Sequence, residues 1–414
     1  MSIKENVTVK IVPDKKFKNT IVAVRFLNDL KPKNATIRAL LAMIMVDRLE
    51  AYPTKQAVSN ELDFLYGANI SGKTLGYGRS QVVEIKINTV SERFVSDKLT
   101  ERQFKLLSEM LFWPLINQET LNEAKKNLFE ALSRVEDVPS QYSLQEALKI
   151  AGQGQPLGIS VLGDVNDIED ITLEDVVVAH QQMLNNDAIA ICVVGDVELN
   201  EIDSLVEQHL NFKARNHLVQ TEYSFIPTET KEESIYKNVD QTELTLVYNT
   251  QTLVSDNYYW PLQVGNVLFG QLPISLLFQE VREKRSLAYS VYTQVIAFDS
   301  VLYISTGIQE SNVALVVELV EELIDKMVNG EFSTEMINAS KKTLINSLTS
   351  GLDSPGAVIN QIYKNVLMNT DQTIEDIKLK INNVTKKEIQ EVFSRMLLNT
   401  IFTISQEDKD ATNS

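Results

Sequence analysis

Two kinds of hydrophobic pattern occur along the chain. Short runs in which apolar residues alternate with polar ones or cluster predict β-strands, and they include NVTVKIV, TIVAVRFL, SQVVEIKIN, ELTLVYNT and SVLYISTGI. Longer segments with helical apolar spacing, roughly residues 36–51 and 257–284, predict long helices. Because strands and helices come in clusters rather than in strict alternation, the pattern predicts an α+β fold with helices packed on one face of an antiparallel sheet.

The order of these elements occurs twice, and one pair of segments shows the duplication directly. Residues 122–139, NEAKKNLFEALSRVEDVP, align without gaps with residues 338–355, NASKKTLINSLTSGLDSP, at an offset of 216 (338 − 122), and seven positions are identical. Residues 171–194 and 384–405 also share an Ile-Thr or Val-Thr opening, an amphipathic helix and a β-rich run. The chain is therefore interpreted as two homologous halves of about 200 residues, much longer than solenoid repeats.

The predicted boundary between the halves lies in the polar segment 212–234, which contains a proline and shows no clear period. We predict a first domain at 1–215, a linker at 216–234 and a second, homologous domain at 235–414. A chain of 414 residues exceeds what one hydrophobic core usually spans, which agrees with two domains.

The charge and the cysteine content argue against some classes of function. The chain has 56 acidic and 39 basic residues and a formal net charge of −17, and such an acidic surface repels nucleic-acid phosphates. The single cysteine, Cys192, lies in the apolar run AIAICVVGDV and is interpreted as a small buried hydrophobe rather than a disulfide partner. The sequence suggests neither a signal peptide nor an apolar run of the ~20 residues that span a bilayer, so we expect a cytoplasmic protein with no membrane or nucleic-acid partner.

The stretch YGANISGKT (residues 66–74) has the spacing G-x-x-x-x-G-K-[ST] of a nucleotide-binding P-loop, with Gly67, Gly72, Lys73 and Thr74 at the defining positions. A working loop needs a buried strand before it and a helix after it. Here the preceding segment reads as a helix and the following segment as a strand, so the flanks are inverted. We interpret both glycines as shaping a turn into a strand, and a nucleotidase is a secondary hypothesis.

Candidate chemistry lies in LLFQEVREKRSLAYSVYT (residues 276–293), where Arg282 precedes Tyr289 by seven residues. A guanidinium offers a rigid fork of donors for peptide or carboxylate oxygens, and a phenol can donate to an oxygen that gains negative charge. This segment, together with the duplicated halves, resembles the pitrilysin/insulinase (M16) family of zinc peptidases, which includes mitochondrial processing peptidase. The resemblance implies that Arg282 and Tyr289 bind the substrate backbone and help to hold the carbonyl under attack.

The family's catalytic motif, H-x-x-E-H on the first long helix, is missing from this sequence. The place of the motif falls on Leu41, Ile44 and Met45, in LAMIM. An aliphatic side chain cannot bind Zn²⁺ or accept a proton from water, and the Met thioether suits Cu(I) rather than a hydrolytic zinc. The apolar spacing around these residues instead predicts an ordinary packed helix.

The remaining candidate ligands do not complete a zinc site. The histidines are His180, His209 and His217; none forms a zinc motif, and the last two are interpreted as surface or capping residues. Glu123 and Glu130 stand seven residues apart, which the resemblance relates to a supporting glutamate and the third zinc ligand of the family. One carboxylate falls short of the ligands that zinc needs, so we expect a solvated or salt-bridged Glu130 and no metal in this chain.

The family includes complexes in which one subunit carries H-x-x-E-H and another, which lacks it, supplies the Arg/Tyr pair. This chain resembles the second kind, especially the bacterial inactive insulinase-like subunits. The resemblance implies a non-catalytic, substrate-binding subunit of a two-chain zinc metallopeptidase for unfolded peptides, with zinc in an H-x-x-E-H-bearing partner and no cofactor in this chain. A function of another class stays open, namely a non-proteolytic peptide-binding or scaffold homodimer.

Overall fold

The computed structural model describes residues 7–215, 220–227 and 229–406, which form two compact units. Unit 1 consists of the described residues within Met1–Leu132, Ser160–Thr221 and Ser350–Asp371. Unit 2 consists of those within Ser133–Ile159, Glu222–Thr349 and Gln372–Ser414.

Strands and helices account for most of both units. The strands are β1 Val7–Pro13, β2 Asn19–Asp29, β3 Asn69–Tyr77, β4 Ser80–Val90, β5 Ala188–Gly195, β6 Lys231–Lys237, β7 Thr242–Asn249, β8 Ala288–Ile296, β9 Val301–Ile308 and β10 Leu397–Gln406. The α-helices are α1 Pro32–Ile44, α2 Lys55–Phe64, α3 Thr100–Phe112, α4 Gln118–Glu136, α5 Pro139–Ala151, α6 Leu173–Asn186, α7 Leu199–His209, α8 Tyr259–Asn266, α9 Val313–Asn329, α10 Thr334–Gly351, α11 Pro355–Leu367, α12 Ile374–Asn383 and α13 Lys386–Phe393. Among the described residues, no helix combines the length and the apolar character that crossing a membrane requires.

The sheets of the two units have the same strand order. The order is β1-β5-β2-β4-β3 in unit 1 and β6-β10-β7-β9-β8 in unit 2. The predicted α+β fold with two similar sheets and packed helices is confirmed, with the correction that each sheet is mixed rather than wholly antiparallel. The last strand of each set inserts between the first two, where it runs parallel to the first and antiparallel to the second.

A second correction concerns the faces of the sheets, because helices cover each sheet on both sides. One face of the unit 1 sheet packs against α1, α3 and α6, and the opposite face packs against α11 through Ile359 and Tyr363. In unit 2, α5 covers the corresponding second face through Ala147 and Ala151. The prediction of helices on one face therefore omits one helix in each unit.

The helices α5 and α11 hold equivalent places in the duplicated sequence, since Pro139 and Pro355 begin them and lie 216 residues apart (355 − 139). Each belongs to the unit whose sheet comes from the other half of the sequence. The compact units thus differ from the contiguous domains 1–215 and 235–414 in these segments. The predicted linker 216–234 lies partly outside the described residues, and its last residues are the start of β6.

The buried guanidinium of Arg25 joins α11 to the unit 1 sheet. Arg25 of β2 and Glu84 of β4 are cross-strand neighbours, are 1% and 2% exposed, and are joined by a 2.7 Å hydrogen bond from Arg25 Nε to Glu84 Oε2. The same guanidinium donates to Asn360 Oδ1 at 2.5 Å and lies 4.5 Å from the ring centroid of Tyr363. The charges inside these two apolar strands are therefore paired with each other, as buried charges must be.

The helix predicted over 257–284 is interrupted. Helix α8 continues into a π-helical turn at Val267–Gln271, the backbone becomes extended at Leu272 before Pro273, and a second π-helical turn forms at Phe278–Lys284. Proline has no N–H to continue a helix and disfavours helical backbone at the residue before it. The break separates α8 from the short helical segment that leads into β8.

Candidate functional site

The pair Arg282 and Tyr289 lies in unit 2, where the second π-helical turn leads into β8. Arg282 belongs to the turn Phe278–Lys284, and Tyr289 is the second residue of β8. The guanidinium carbon of Arg282 lies 5.5 Å from the ring centroid of Tyr289 and 4.6 Å from that of Phe278. Both rings can stabilise the cation through their π faces. Tyr289 is 83% exposed, so the structure brings the pair together at the surface.

Three departures from regular backbone surround the pair. The helical segment before β8 is wound as a π-helix, Ser286 has a left-handed φ of 51°, and the pairing of β8 with β9 is irregular between Ala288 and Val291. Because of this irregularity, Tyr289 and its successor are both exposed between two buried residues, which breaks the alternation of a regular strand. Such departures cost free energy and are concentrated at functional sites.

Strand β8 is an edge strand without the usual protection against pairing with another chain. Charged residues and prolines commonly protect exposed edges. The other edge strands contain such residues, namely Lys10 and Pro13 in β1, Lys73 in β3, and Lys231, Glu232, Glu233 and Lys237 in β6. The sequence of β8, AYSVYTQVI, contains no charged residue and no proline. One side of β8 therefore offers backbone donors and acceptors that an extended peptide could pair with.

A cavity of about 340 Å³ opens beside Tyr289. Its lining comes from the segment before β7, the turn into β8 and the end of β9, and it includes Ser286 and Gly307. This volume is near the lower end of the range for ligand pockets, so it suits one side chain of a bound peptide better than a large cofactor.

The positions related to the lost zinc motif are core residues. Leu41 and Ile44 belong to α1, which covers only the first part of the predicted helix 36–51, and Met45 follows its end. All three side chains are fully buried in the core between the sheet and α1, α3 and α6. Zinc does not fit these residues, because none of them offers a hard nitrogen or oxygen ligand. Across the described ranges, no group of three or more His, Cys, Asp or Glu side chains is arranged to hold a metal ion.

Glu123, one of the two candidate carboxylates, is bound by cations. Its carboxylate lies 3.0 Å from Arg48 Nη2 and forms an ion pair with Lys55, and the hydrogen bonds from Lys55 and then Arg48 lower the pKa of Glu123. Arg48 is 6% exposed and also contacts Asp47 and Glu119, each at 2.8 Å. Burial alone would lower the pKa of Arg48, but the hydrogen bonds to these carboxylates raise it. No sequence motif singles out Arg48, because its partner Glu119 is 71 residues away along the chain.

The remaining candidates are dispersed. His180 is buried with Nε2 2.8 Å from a backbone carbonyl, and burial lowers the pKa of its ring. His209 is the last residue of α7, His217 lies outside the described residues, and Glu130 is exposed on α4. Cys192 is buried, and burial raises the pKa of its thiol to about 12, which agrees with its interpretation as a small hydrophobe.

The Gly-Lys-Thr sequence lies inside a strand and does not form a phosphate-binding loop. It belongs to β3, which follows α2 and pairs with β4, so the inverted flanks expected from the sequence are present. Lys73 Nζ lies 3.5 Å from Glu84 Oε1. Gly72 is required by packing, because a Cβ there would lie 1.9 Å from the carbonyl oxygen of Ala42 in α1. Gly67 has a φ of 72° in the turn before the strand, where glycine is favoured.

Comparison with known proteins finds relatives along almost the whole chain. A family model described as the Peptidase M16 inactive domain matches residues 170–344. The "Probable inactive metalloprotease YmfF" of Bacillus subtilis is 27% identical over 403 residues, which cover 95% of this chain and 95% of that protein. The "Uncharacterized zinc protease YmxG" of the same organism is 22% identical, over 71% of this chain and 72% of that protein.

Solved structures share the fold. A conserved protein from Enterococcus faecalis V583 has a TM-score of 0.91 and 29% sequence identity, with 98% of each chain covered. The structure titled as the peptidase M16 inactive domain from Pseudomonas fluorescens has a TM-score of 0.80 and 17% identity, with 97% of this chain and 96% of that chain covered. At 17% identity, the likeness to the Pseudomonas fluorescens structure concerns the fold alone.

Proposed function

We propose that this chain, which matches the Peptidase M16 inactive domain over residues 170–344 and lacks the H-x-x-E-H motif, is the non-catalytic, substrate-binding subunit of a two-chain zinc metallopeptidase. Its substrates would be unfolded peptides, and its contribution would be the donors of Arg282 and Tyr289. The observation that carries the proposal is the position of this pair at the start of an unprotected edge strand, within a segment of irregular backbone.

The proposed role is non-catalytic because buried apolar side chains occupy the place of the zinc motif, in α1 and directly after it. Leu41, Ile44 and Met45 fill the core of unit 1 and provide neither ligands for a metal nor a base for an attacking water. Replacing them by polar ligands would leave buried polar groups in a packed core, at a cost of about 1–3 kcal/mol each. The packing of the unit 1 core thus depends on the apolar residues that stand in place of this motif.

The proposed binding mode uses the peptide backbone. An extended peptide would pair with the free side of β8, which explains why that edge carries no charge and no proline. At the start of the strand, the Arg282 fork would donate to substrate oxygens, and the Tyr289 phenol would donate to the carbonyl oxygen under attack. Phe278 would keep the guanidinium in place while leaving its outer donors free for substrate.

The proposed partner is a subunit that carries H-x-x-E-H and holds the zinc, so that the hydrolytic chemistry belongs to the partner and the positioning of the peptide to this chain. The two would form a heterodimer. The net charge of −17 argues against nucleic acid as a further partner. The single buried cysteine fits a reducing compartment, and we place the complex in the cytoplasm.

Peptide binding by the purified chain tests the proposal without the partner. A fluorescently labelled, unfolded peptide should bind saturably in fluorescence anisotropy, and unlabelled peptides of unrelated sequence should compete, because strand pairing reads the backbone. A folded protein of similar net charge should not compete, since its backbone groups are already paired. Failure to observe saturable binding of any unfolded peptide would contradict the proposed function.

A further inference from the structure

The turn between the π-helical segment and β8 depends on one residue in an unusual conformation. Ser286 has a φ of 51°, which residues other than glycine seldom adopt. Its N–H donates to the carbonyl of Arg282 at 3.0 Å, and the N–H of the next residue, Leu287, donates to the carbonyl of Val281 at 2.9 Å. These two bonds end the helical segment and reverse the chain at Ser286, so that β8 starts two residues later.

The turn connects two anchored points. Val281 is fully buried before the turn, and Ala288 is 8% exposed after it, so the helical segment and the start of β8 are both packed into the unit 2 core. Arg282 and Tyr289 are direct neighbours of these anchors. With both ends held, the backbone angles at Ser286 determine how far the guanidinium stands from the phenol ring.

The equivalent turn in unit 1 supports this interpretation. Between α2 and β3, Tyr66 and Gly67 have φ values of 58° and 72°. The duplicated fold therefore uses left-handed backbone to connect this helix to the edge strand in both units. In unit 2 the left-handed residue is a serine, whose Cβ makes this conformation costly, and it lies between the two candidate substrate-binding residues.

We infer that Ser286 is a positioning residue, whose left-handed backbone conformation holds Arg282 and Tyr289 at the separation that peptide binding requires. This inference rests on the proposed function. The side chain of Ser286 lines the cavity beside Tyr289, but the inferred effect is that of its backbone and passes through the two neighbouring side chains, so Ser286→Gly separates the two contributions. A residue that cannot adopt φ near 50° would turn the chain differently and move Tyr289 away from Arg282.

The test compares peptide affinity among variants of the full chain by fluorescence anisotropy with one labelled, unfolded peptide. Ser286→Val should weaken binding about tenfold, which is the effect of losing roughly one hydrogen bond between the displaced pair and the peptide. Ser286→Gly should keep the affinity of the original chain, because glycine adopts positive φ without a steric cost.

The chain offers a matched control in Gln251, which is also exposed, also in unit 2, and has a φ of 48°. Gln251→Val should lower the unfolding midpoint about as much as Ser286→Val but leave the peptide affinity unchanged. Equal affinities for the two valine variants would overturn the inference, because strain alone would then explain Ser286. The affinity of Arg282→Ala is measured in the same assay. An unchanged affinity of Arg282→Ala would overturn the proposed function itself. A weakened affinity of Arg282→Ala together with an unchanged affinity of Ser286→Val would overturn only the positioning role.

Discussion

Replacing Arg282 by alanine is expected to lower kcat/KM for cleavage of an unfolded peptide by the two-chain complex by about a hundredfold, because losing hydrogen bonds from a charged donor to substrate oxygens costs about 1.5–3 kcal/mol. The guanidinium is held between Phe278 and Tyr289 with part of its surface exposed, so its truncation removes donors without opening the core. The expected loss is in activity and peptide binding, while the unfolding midpoint of the chain stays unchanged.

Two further variants separate the effect of the paired guanidinium donors from the effect of positive charge. Arg282→Lys keeps the positive charge but cannot donate in a paired, planar arrangement, so its activity should fall between that of the original complex and that of Arg282→Ala. Arg285→Ala removes an exposed cation from the same turn and should leave activity unchanged. An Arg282→Ala complex of normal stoichiometry and normal kcat/KM would show that the pair does not act on substrate.

Replacing Asp187 by alanine is expected to lower the free energy of unfolding of unit 1 by about 3–5 kcal/mol, because it leaves a buried cation without its partner. Asp187 is completely buried, and Arg38 is 3% exposed. Arg38 Nη1 and Asn28 Nδ2 each donate to the Asp187 carboxylate at 2.6 Å, and Arg38 Nη2 donates to the Phe26 carbonyl at 3.0 Å. These bonds connect α1, β2 and the end of α6.

Urea unfolding followed by tryptophan fluorescence measures this effect. The two tryptophans lie in different units, Trp113 in unit 1 and Trp260 in unit 2, so a Trp260→Phe background isolates the unit 1 signal. Asp170→Ala, which removes an exposed carboxylate, should change the free energy of unfolding by no more than about 0.5 kcal/mol. Adding Arg38→Met to Asp187→Ala should recover part of the loss, and no recovery would argue against the unpaired charge as its cause.

The sequence was sufficient to predict several strands and the duplication of the fold. Alternating runs predicted β2, β4, β7 and β9, and the 216-residue offset predicted two similar domains, which have the same strand order. It was not sufficient to predict that α5 and α11 cover the sheets of the opposite halves. Amphipathic spacing specifies that a helix has a buried face, but the partner of that face depends on contacts between residues far apart in the chain.

The proximity of the candidate pair could be expected from the sequence, while its role in binding substrate stays a prediction. A seven-residue spacing within a family-like segment singles out Arg282 and Tyr289. In the structure the guanidinium carbon of Arg282 lies 5.5 Å from the ring centroid of Tyr289, a distance at which a cation and a ring interact. The π-helical winding, the left-handed Ser286 and the irregular pairing of β8 had no sequence signal, because serine, alanine and tyrosine are common in regular elements. The ion pairs of Arg48 with Glu119 and Glu123 were likewise unpredictable, since they join residues from separate segments.

In the proposed complex, this chain binds the peptide for a zinc site that another chain carries. The most direct measurement is hydrolysis of an internally quenched, unfolded peptide by the purified chain alone and by its mixture with the H-x-x-E-H protein encoded in the same genome. We expect no hydrolysis by either protein alone and chelator-sensitive hydrolysis by the mixture. Chelator-sensitive hydrolysis by this chain alone would show that the chain has a metal site of its own and would contradict the proposed division of labour. No hydrolysis by the mixture, with peptide binding intact, would instead indicate a non-proteolytic peptide-binding protein.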